Sequence, residues 1–337
     1  MNVLINTYCN LKCSYCFADP TMKESKVKDM SITDFRKVLN FLRRNGFTEV
    51  RLIGGEPTLS PNFKEFIDLI IWYGCFKNIL IFSNFTFSDD IMDFLVEKSK
   101  EIDILFLPNI NEYDTILPNR AERIKSNIRR AINELPNFVE IGVNVYKPEF
   151  DFSQWEEIIK ESNGKIFGLR YCIAIPTKAI VENNFDFYEY YHPFEKTIND
   201  ICDLGDKYKL YVDVDCNNIP VCCFSDETIA KIYKSHPEML SAEGTRLTCG
   251  YPVVDCRPDL TLAGCFGFYI KDAEEKSLDD FRTYQEIIDY FEEIGKNEDW
   301  IARKECLDCS RFRITGHSCS CKSTHLINRF TLEKKMR

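Results

Sequence analysis

No stretch of this 337-residue chain is apolar for long enough to cross a bilayer as a helix, so a membrane-spanning role is not expected. Nor does a basic stretch, an apolar core and a cleavage pattern open the chain. Met1 runs almost at once into "VLINTYC", and the expected location is cytoplasmic. Lys and Arg are spread over helical faces, and the formal charge is −10, which argues against nucleic acid as the main partner. An acidic surface of this kind reports solubility and points to no substrate. There is no low-complexity segment or long linker. Histidine is scarce, with His192, His236, His317 and His325 all far along the chain. Cysteine is the reverse: sixteen of them, without an export signal, cannot be read as a secreted disulfide framework, so metal binding or catalysis is the better account.

The front of the chain alternates short apolar runs with amphipathic stretches. "MNVLINTY" reads as a strand, and "SITDFRKVLNFLRRNG" as a helix with Ser31 and Asp34 as a capping box, Phe35, Val38, Leu39 and Leu42 on one face, and Gly46 past its end. "EVRLIGG" is the next strand, and "SPNFKEFIDLIIWYG" the next helix, with Pro61 near its start and Gly74 as its stop. Further pairs follow at "NILIFSN" and "SDDIMDFLVEKSK", "DILFLPN" and "AERIKSNIRRAINEL", and "FVEIGVNVY" and "DFSQWEEIIKESNG". A sixth strand, "IFGLRYCIAIP", ends near Pro176. Right-handed crossovers between such units imply an α/β fold with a parallel sheet, curled into a partial barrel or doubly wound. Chemistry in these architectures gathers at the carboxyl ends of the strands.

After about residue 185 the rhythm changes, giving an expected division into 1–185 and 186–337. The second part is rich in cysteine. Within it, "VDCNNIPVCCF" at 214–224 echoes "VDCRPDLTLAGCF" at 254–266, and each reads as a strand, a tight turn and a returning strand.

Two constellations carry the chemistry. Cys9, Cys13 and Cys16 sit on a short loop just after the first strand, a spacing that sixteen scattered cysteines would produce about 0.04 times per chain. A structural zinc site wants four ligands and buried thiols want none, and these are the competing readings. Three thiolates suit a [4Fe-4S] cluster whose fourth iron stays open. Later on come Cys249 and Cys265, then "CLDC" at Cys306 and Cys309. Eleven of the sixteen cysteines lie after residue 200, which suggests a second site near that end of the chain. Cys216, Cys222, Cys223, Cys256, Cys319 and Cys321 have no assigned partner, while Cys75, Cys172 and Cys202 fall in apolar segments and read as buried thiols.

The C-x3-C-x2-C loop, with Tyr15 and Phe17 flanking its last cysteine, resembles the signature of radical S-adenosylmethionine (radical SAM) enzymes. The second strand supports the resemblance, because Gly54, Gly55, Glu56 and Pro57 resemble the family's GGEP motif. The family implies a partial (β/α)6 TIM-like barrel, S-adenosylmethionine on the open iron of a [4Fe-4S] cluster, and reductive cleavage of that cofactor to a 5′-deoxyadenosyl radical. Glycines permit close backbone approach, and carbonyls with Glu56 present acceptors to the methionine ammonium. By position, Tyr15, Ser83, Asn84, Asn144 and Arg170 are further cofactor-binding candidates. Asn109, Asn111, Glu112 and Asp114 are candidates for lining the cavity, and Tyr8, Glu112, Asp213 and Asp215 are unranked candidates for acid–base work.

The C-terminal cysteines resemble the SPASM or twitch auxiliary extension of the same superfamily. That implies one auxiliary cluster on Cys249, Cys265, Cys306 and Cys309, with a zinc ribbon on the same four as the competing reading, and a second cluster only if further cysteines are recruited. The resemblance also implies an oxygen-labile enzyme, an external electron donor such as flavodoxin or ferredoxin, and modification of a ribosomally made peptide by crosslinking, epimerisation or oxidation. The chain starts directly on its first strand, so a separate leader-binding protein is expected to present a peptide unless the substrate is small. Dehydrogenation or rearrangement of a small molecule is the alternative chemistry. Outside catalysis, the alternative is a redox-sensing iron–sulfur scaffold.

Overall fold

The computed structural model describes residues 1–16, 22, 25–174, 187–214, 221–239, 253–264, 275–296 and 308. Cys216, Cys249, Cys265, Cys306, Cys309, Cys319, Cys321 and Asp215 lie outside the described residues.

Strand β1 (Asn2–Leu4) leads through the three-cysteine loop to helix α1 (Ile32–Arg44). There follow β2 (Glu49–Ile53), α2 (Phe63–Tyr73), β3 (Asn78–Ser83), α3 (Asp89–Lys98), β4 (Asp103–Ile110), α4 (Pro118–Glu134), β5 (Glu140–Val145), α5 (Ser153–Glu161) and β6 (Gly168–Ile173). Beyond these come α6 (Phe187–Tyr191), α7 (Glu195–Tyr208), β7 (Tyr211–Val214), α8 (Asp226–Ser235), β8 (Val254–Cys256), β9 (Leu262–Gly264) and α9 (Tyr284–Lys296).

The helix ends obey local chemistry. Ser31 caps α1 by accepting the Asp34 amide at 3.0 Å, while its own hydroxyl donates to the Asp34 carboxylate. The cap therefore forms, but the carboxylate binds the hydroxyl in place of the Ser31 amide that a capping box requires. Gly46 and Gly74 follow α1 and α2 with φ of +73° and +64°, the left-handed conformation that stops a helix. On α1, Phe35, Val38, Leu39 and Leu42 are all buried, as the 3.6-residue period predicts.

The strands form one open sheet in the order β7-β6-β5-β4-β3-β2-β1-β8-β9. Each pair from β1 to β7 is parallel, and β8 is parallel to β1, so among the described strands only the β8–β9 hairpin runs antiparallel. The sheet thus spans the expected boundary at residue 185. Of the two echoing segments, 254–264 forms the expected hairpin. The other does not, because Val221–Cys223 is a 3-10 turn, and its strand β7 lies at the far edge of the sheet from β9.

One face of the sheet is a continuous apolar layer under the helices: Val3, Val50, Leu52, Ile79, Ile81, Ile104, Phe106, Ile141, Val143 and Val212 are buried there. The opposite face turns polar toward the carboxyl ends of the strands. The register places Asn109, Gly142, Arg170 and Asp213 side by side on four consecutive strands. Among the described residues no helix is long and apolar enough to cross a membrane.

Candidate active site

The three cysteines sit on the loop that leaves β1, all half-buried. Burial pushes the Cys9 thiol up to about 11, and the neighbouring Cys13 and Cys16 add to the shift, so the three sulfurs feel one another. The Cys16 amide donates to the Cys13 carbonyl at 3.1 Å and closes the second half of the loop. Among the described residues no three His, Cys, Asp or Glu side chains meet closely enough to hold a single metal ion. A [4Fe-4S] cluster does not ask for such convergence, because each thiolate binds its own iron. The sulfurs do receive the hydrogen bonds that cluster ligands favour. Leu11 N donates to Cys9 Sγ at 3.4 Å, Asn84 Nδ2 to the same sulfur at 3.5 Å, and Asn111 Nδ2 to Cys13 Sγ at 3.2 Å.

The end of β2 is pressed against this loop. A Cβ on Gly54 would meet Asn6 Oδ1 at 2.2 Å, and one on Gly55 would meet the Tyr8 carbonyl oxygen at 2.2 Å. Both positions therefore need glycine for contact, not for turn geometry. Asn6 stitches the approach, accepting the Gly55 amide at 3.1 Å and donating to the Glu56 carbonyl at 2.8 Å. Pro57 is buried and opens a 3-10 turn, Pro57–Leu59.

Glu56 departs from the expected role. Its side chain is 1% exposed, and its carboxylate is taken by four protein donors: Thr58 N, Thr58 Oγ1 at 2.6 Å, Ser83 Oγ at 2.9 Å and Asn84 N at 2.8 Å. Burial raises its pKa, and the donors offset part of that rise. This carboxylate joins the ends of β2 and β3, with three of its donors on Oε1 and one, Asn84 N, on Oε2. Ser83 belongs to the same joint, with its hydroxyl also accepting Phe85 N at 3.1 Å.

Phe85 then adopts φ +62°, rare for a bulky residue. Asn127 on α4 holds the turn by donating to the Phe85 and Phe87 carbonyls, each at 2.8 Å. The turn aims Asn84 back at the cysteine loop. There Asn84, Thr86 and Asn10 share hydrogen bonds, and Arg120 of α4 binds the Asn10 carbonyl.

At the fourth strand end, Asn111 donates to Cys13 and accepts the hydroxyl of Tyr15. The Tyr15 ring stacks on Tyr146 at 4.8 Å and 16°. The Tyr146 hydroxyl donates to buried Glu112, which also pairs with Lys147 at 2.8 Å. Arg170 reaches across Gly142 to donate to Asn109 Oδ1 at 3.1 Å, with its Nε 3.8 Å from Glu140. A Cβ on Gly142 would stand 3.1 Å from that guanidinium. Asn144 accepts from Cys172 Sγ at 3.2 Å.

The described site residues thus divide into two linked groups. Cys9, Cys13, Cys16, Tyr15, Gly54, Gly55, Glu56, Pro57, Ser83 and Asn84 form one continuous assembly, and Asn109, Asn144 and Arg170 line the polar face beside it. Tyr8 donates to Asp29 at 2.7 Å, which engages the hydroxyl expected to be available for acid–base work. Of the thiols expected to be buried, Cys202 is, Cys75 is exposed, and Cys172 is half-buried on the polar face. Cys223 and Cys256 are buried, and Cys222 is exposed. The parts that the sequence did not reveal are the amides of Asn6, Asn10 and Gln154, whose side chains bridge segments far apart in the chain.

Residues 3–161 match the model of the radical SAM superfamily. Two curated relatives are both GTP 3′,8-cyclases. That of Mannheimia succiniciproducens is 30% identical over 88 residues, 25% of each chain, and that of Chlorobaculum tepidum is 22% identical over 135 residues, 40% of each chain. The chain therefore matches well under half the length of these relatives. In three dimensions it resembles Streptococcus suis SuiB. The SuiB structure bound to S-adenosylmethionine superposes with TM-score 0.61 and 15% identity, covering 93% of this chain and 70% of SuiB. The structure bound to precursor peptide SuiA gives TM-score 0.60 and 13% identity, covering 96% and 69%. At such identities the likeness is one of fold.

Proposed function

Residues 3–161 are a radical SAM domain, and from that premise we propose that the chain is an enzyme that modifies a peptide by abstracting a hydrogen atom. Cys9, Cys13 and Cys16 would hold three irons of a [4Fe-4S] cluster, whose open iron would take S-adenosylmethionine. When bound, these groups supply one-electron cleavage of the cofactor to methionine and a 5′-deoxyadenosyl radical. The chain's own residues do the rest. The carbonyls at Gly54 and Gly55 would accept from the cofactor's ammonium, and Glu56 with Ser83 joins the ends of β2 and β3. Tyr15, held flat on Tyr146 and bonded to Asn111, would border the cofactor. Asn109, Asn144 and Arg170 give the open polar face the donors and acceptors to bind the cofactor's carboxylate and ribose.

The observation that carries this reading is the three-cysteine loop, whose sulfurs accept amide hydrogen bonds and whose backbone is seated on two glycines. The peptide reading draws on the fold shared with SuiB over most of the chain. The cyclase relatives favour a second reading, a small-molecule substrate, over the stretch they match. In the C-terminal part, Cys249, Cys265, Cys306 and Cys309 would carry an auxiliary cluster of SPASM or twitch type, with flavodoxin or ferredoxin as electron donor. Anaerobic reconstitution followed by assay for 5′-deoxyadenosine tests the proposal. Reduced protein that leaves S-adenosylmethionine intact would refute it. An iron content of about four per chain would exclude the auxiliary cluster, and about eight would support it.

A further inference from the structure

We propose that Asn111 and Asn84 are positioning residues that set the one-electron reduction potential of the cluster on Cys9, Cys13 and Cys16, by donating side-chain amide hydrogen bonds to two of its thiolates. The inference rests on the cluster reading above.

The orientation of each amide is fixed by its neighbours. Asn111 Oδ1 accepts the Tyr15 hydroxyl, which turns Nδ2 onto Cys13 Sγ at 3.2 Å. Asn84 Oδ1 accepts Thr86 N at 3.0 Å and Thr86 Oγ1 at 2.5 Å, which turns Nδ2 toward Cys9 Sγ at 3.5 Å and Asn10 Oδ1 at 3.2 Å. Neither amide can rotate without breaking a second bond. Asn111 is 6% exposed, and its backbone is clamped from both sides by Gln154 at the start of α5. Gln154 Nε2 donates to the Asn111 carbonyl at 2.9 Å, and Gln154 Oε1 accepts Tyr113 N at 2.8 Å. An electron added to the cluster puts negative charge onto its sulfurs, so an N–H aimed at a thiolate stabilises the reduced form more than the oxidised one. Partial burial strengthens the effect by lowering the local dielectric.

The test is a potentiometric titration, followed by electron paramagnetic resonance, of the reconstituted full chain as wild type, Asn111→Leu, Asn84→Leu and the double variant. The front cluster is recognised as the signal that changes when S-adenosylmethionine is added. Each single variant is expected to lower the reduced-to-oxidised ratio at fixed potential about tenfold, equivalent to about 59 mV for a one-electron couple. The double variant should shift further, with iron content unchanged. Coupling to exchangeable protons at the reduced cluster should weaken in step. If Asn111→Leu fails to load iron, Asn111→Asp is read in its place. It keeps the oxygen that Tyr15 binds, and it should show a lower potential. Potentials equal to wild type in the variants, with a normal wild-type signal, overturn the assignment of the amides. A wild-type protein with no signal responsive to S-adenosylmethionine overturns the cluster reading itself.

Discussion

Gly55 lies directly beneath the backbone of Tyr8. A Cβ there would stand 2.2 Å from the Tyr8 carbonyl oxygen, which the next amide, Glu56 N, binds at 2.9 Å. The side chain that would clash faces backbone, which cannot swing away. Gly55→Ala is expected to cost about 1–3 kcal/mol in chemical denaturation, the usual range for overpacking, and to lower iron uptake on reconstitution. Wild-type stability together with wild-type iron content would show that the loop is not seated as described.

Glu56→Gln replaces one acceptor oxygen with an NH2 group that must face a donor. A loss of about 1–3 kcal/mol is expected, the cost of an unsatisfied buried polar group. The deficit should depend on pH. Burial raises the Glu56 pKa in the folded protein, so its stabilising contribution is full below the ordinary carboxyl value of 4.5 and is lost as pH rises. The glutamine variant has no such loss, so the gap between the two proteins should narrow from acid toward neutral pH. A gap that widens would contradict the assignment.

Cys256 separates structure from chemistry. It is buried in β8, and burial pushes its thiol well above the usual range. Cys256→Ser is expected to lower stability by about 1–3 kcal/mol by burying a hydroxyl, while leaving the iron count unchanged. Cys13→Ala should do the reverse: it should remove the iron of the front cluster and keep the fold by circular dichroism. Iron loss in Cys256→Ser would make this thiol a ligand.

Glu156 links α5 to α7, accepting from Lys207 at 2.6 Å and from Tyr208, with Lys160 at 3.1 Å. These partners pull its pKa down from 4.5 to about 2. A depressed carboxyl contributes stability that is present above 4.5 and lost as pH falls through about 2. Thermal unfolding of the wild type should therefore show an acid limb in that window, and Glu156→Gln should flatten it. An unchanged limb would mean that exposure screens these ion pairs to nothing.

Much of the frame is written in local pattern. The caps at Ser31, Gly46 and Gly74, and the six strands up to β6, follow from propensity and period. The cysteine spacing and the GGEP run mark two segments that the fold presses together. What could not be read depends on contacts between distant segments. The pairing of β8 with β1 joins Asn2 to Asp255, and no local signal encodes such a register. Glu56 looks like an outward-facing ligand until Ser83 and Asn84 are seen to surround its carboxylate. Asn111 reads only as a candidate for lining the cavity until the fold brings Cys13 and Tyr15 to it. The hairpin expected at 214–224 fails because Val221–Cys223 coils into a 3-10 turn.

The strand that delivers the cysteine loop is an interior strand, bordered by β2 on one side and β8 on the other. At ribosomal speeds of roughly 5–20 residues per second, β8 follows β1 by about 10–50 s. Throughout that interval the edge of β1 that β8 covers has no strand against it, next to the three cysteines of the loop. Iron loaded before β8 arrives would sit beside an unfinished edge of the sheet.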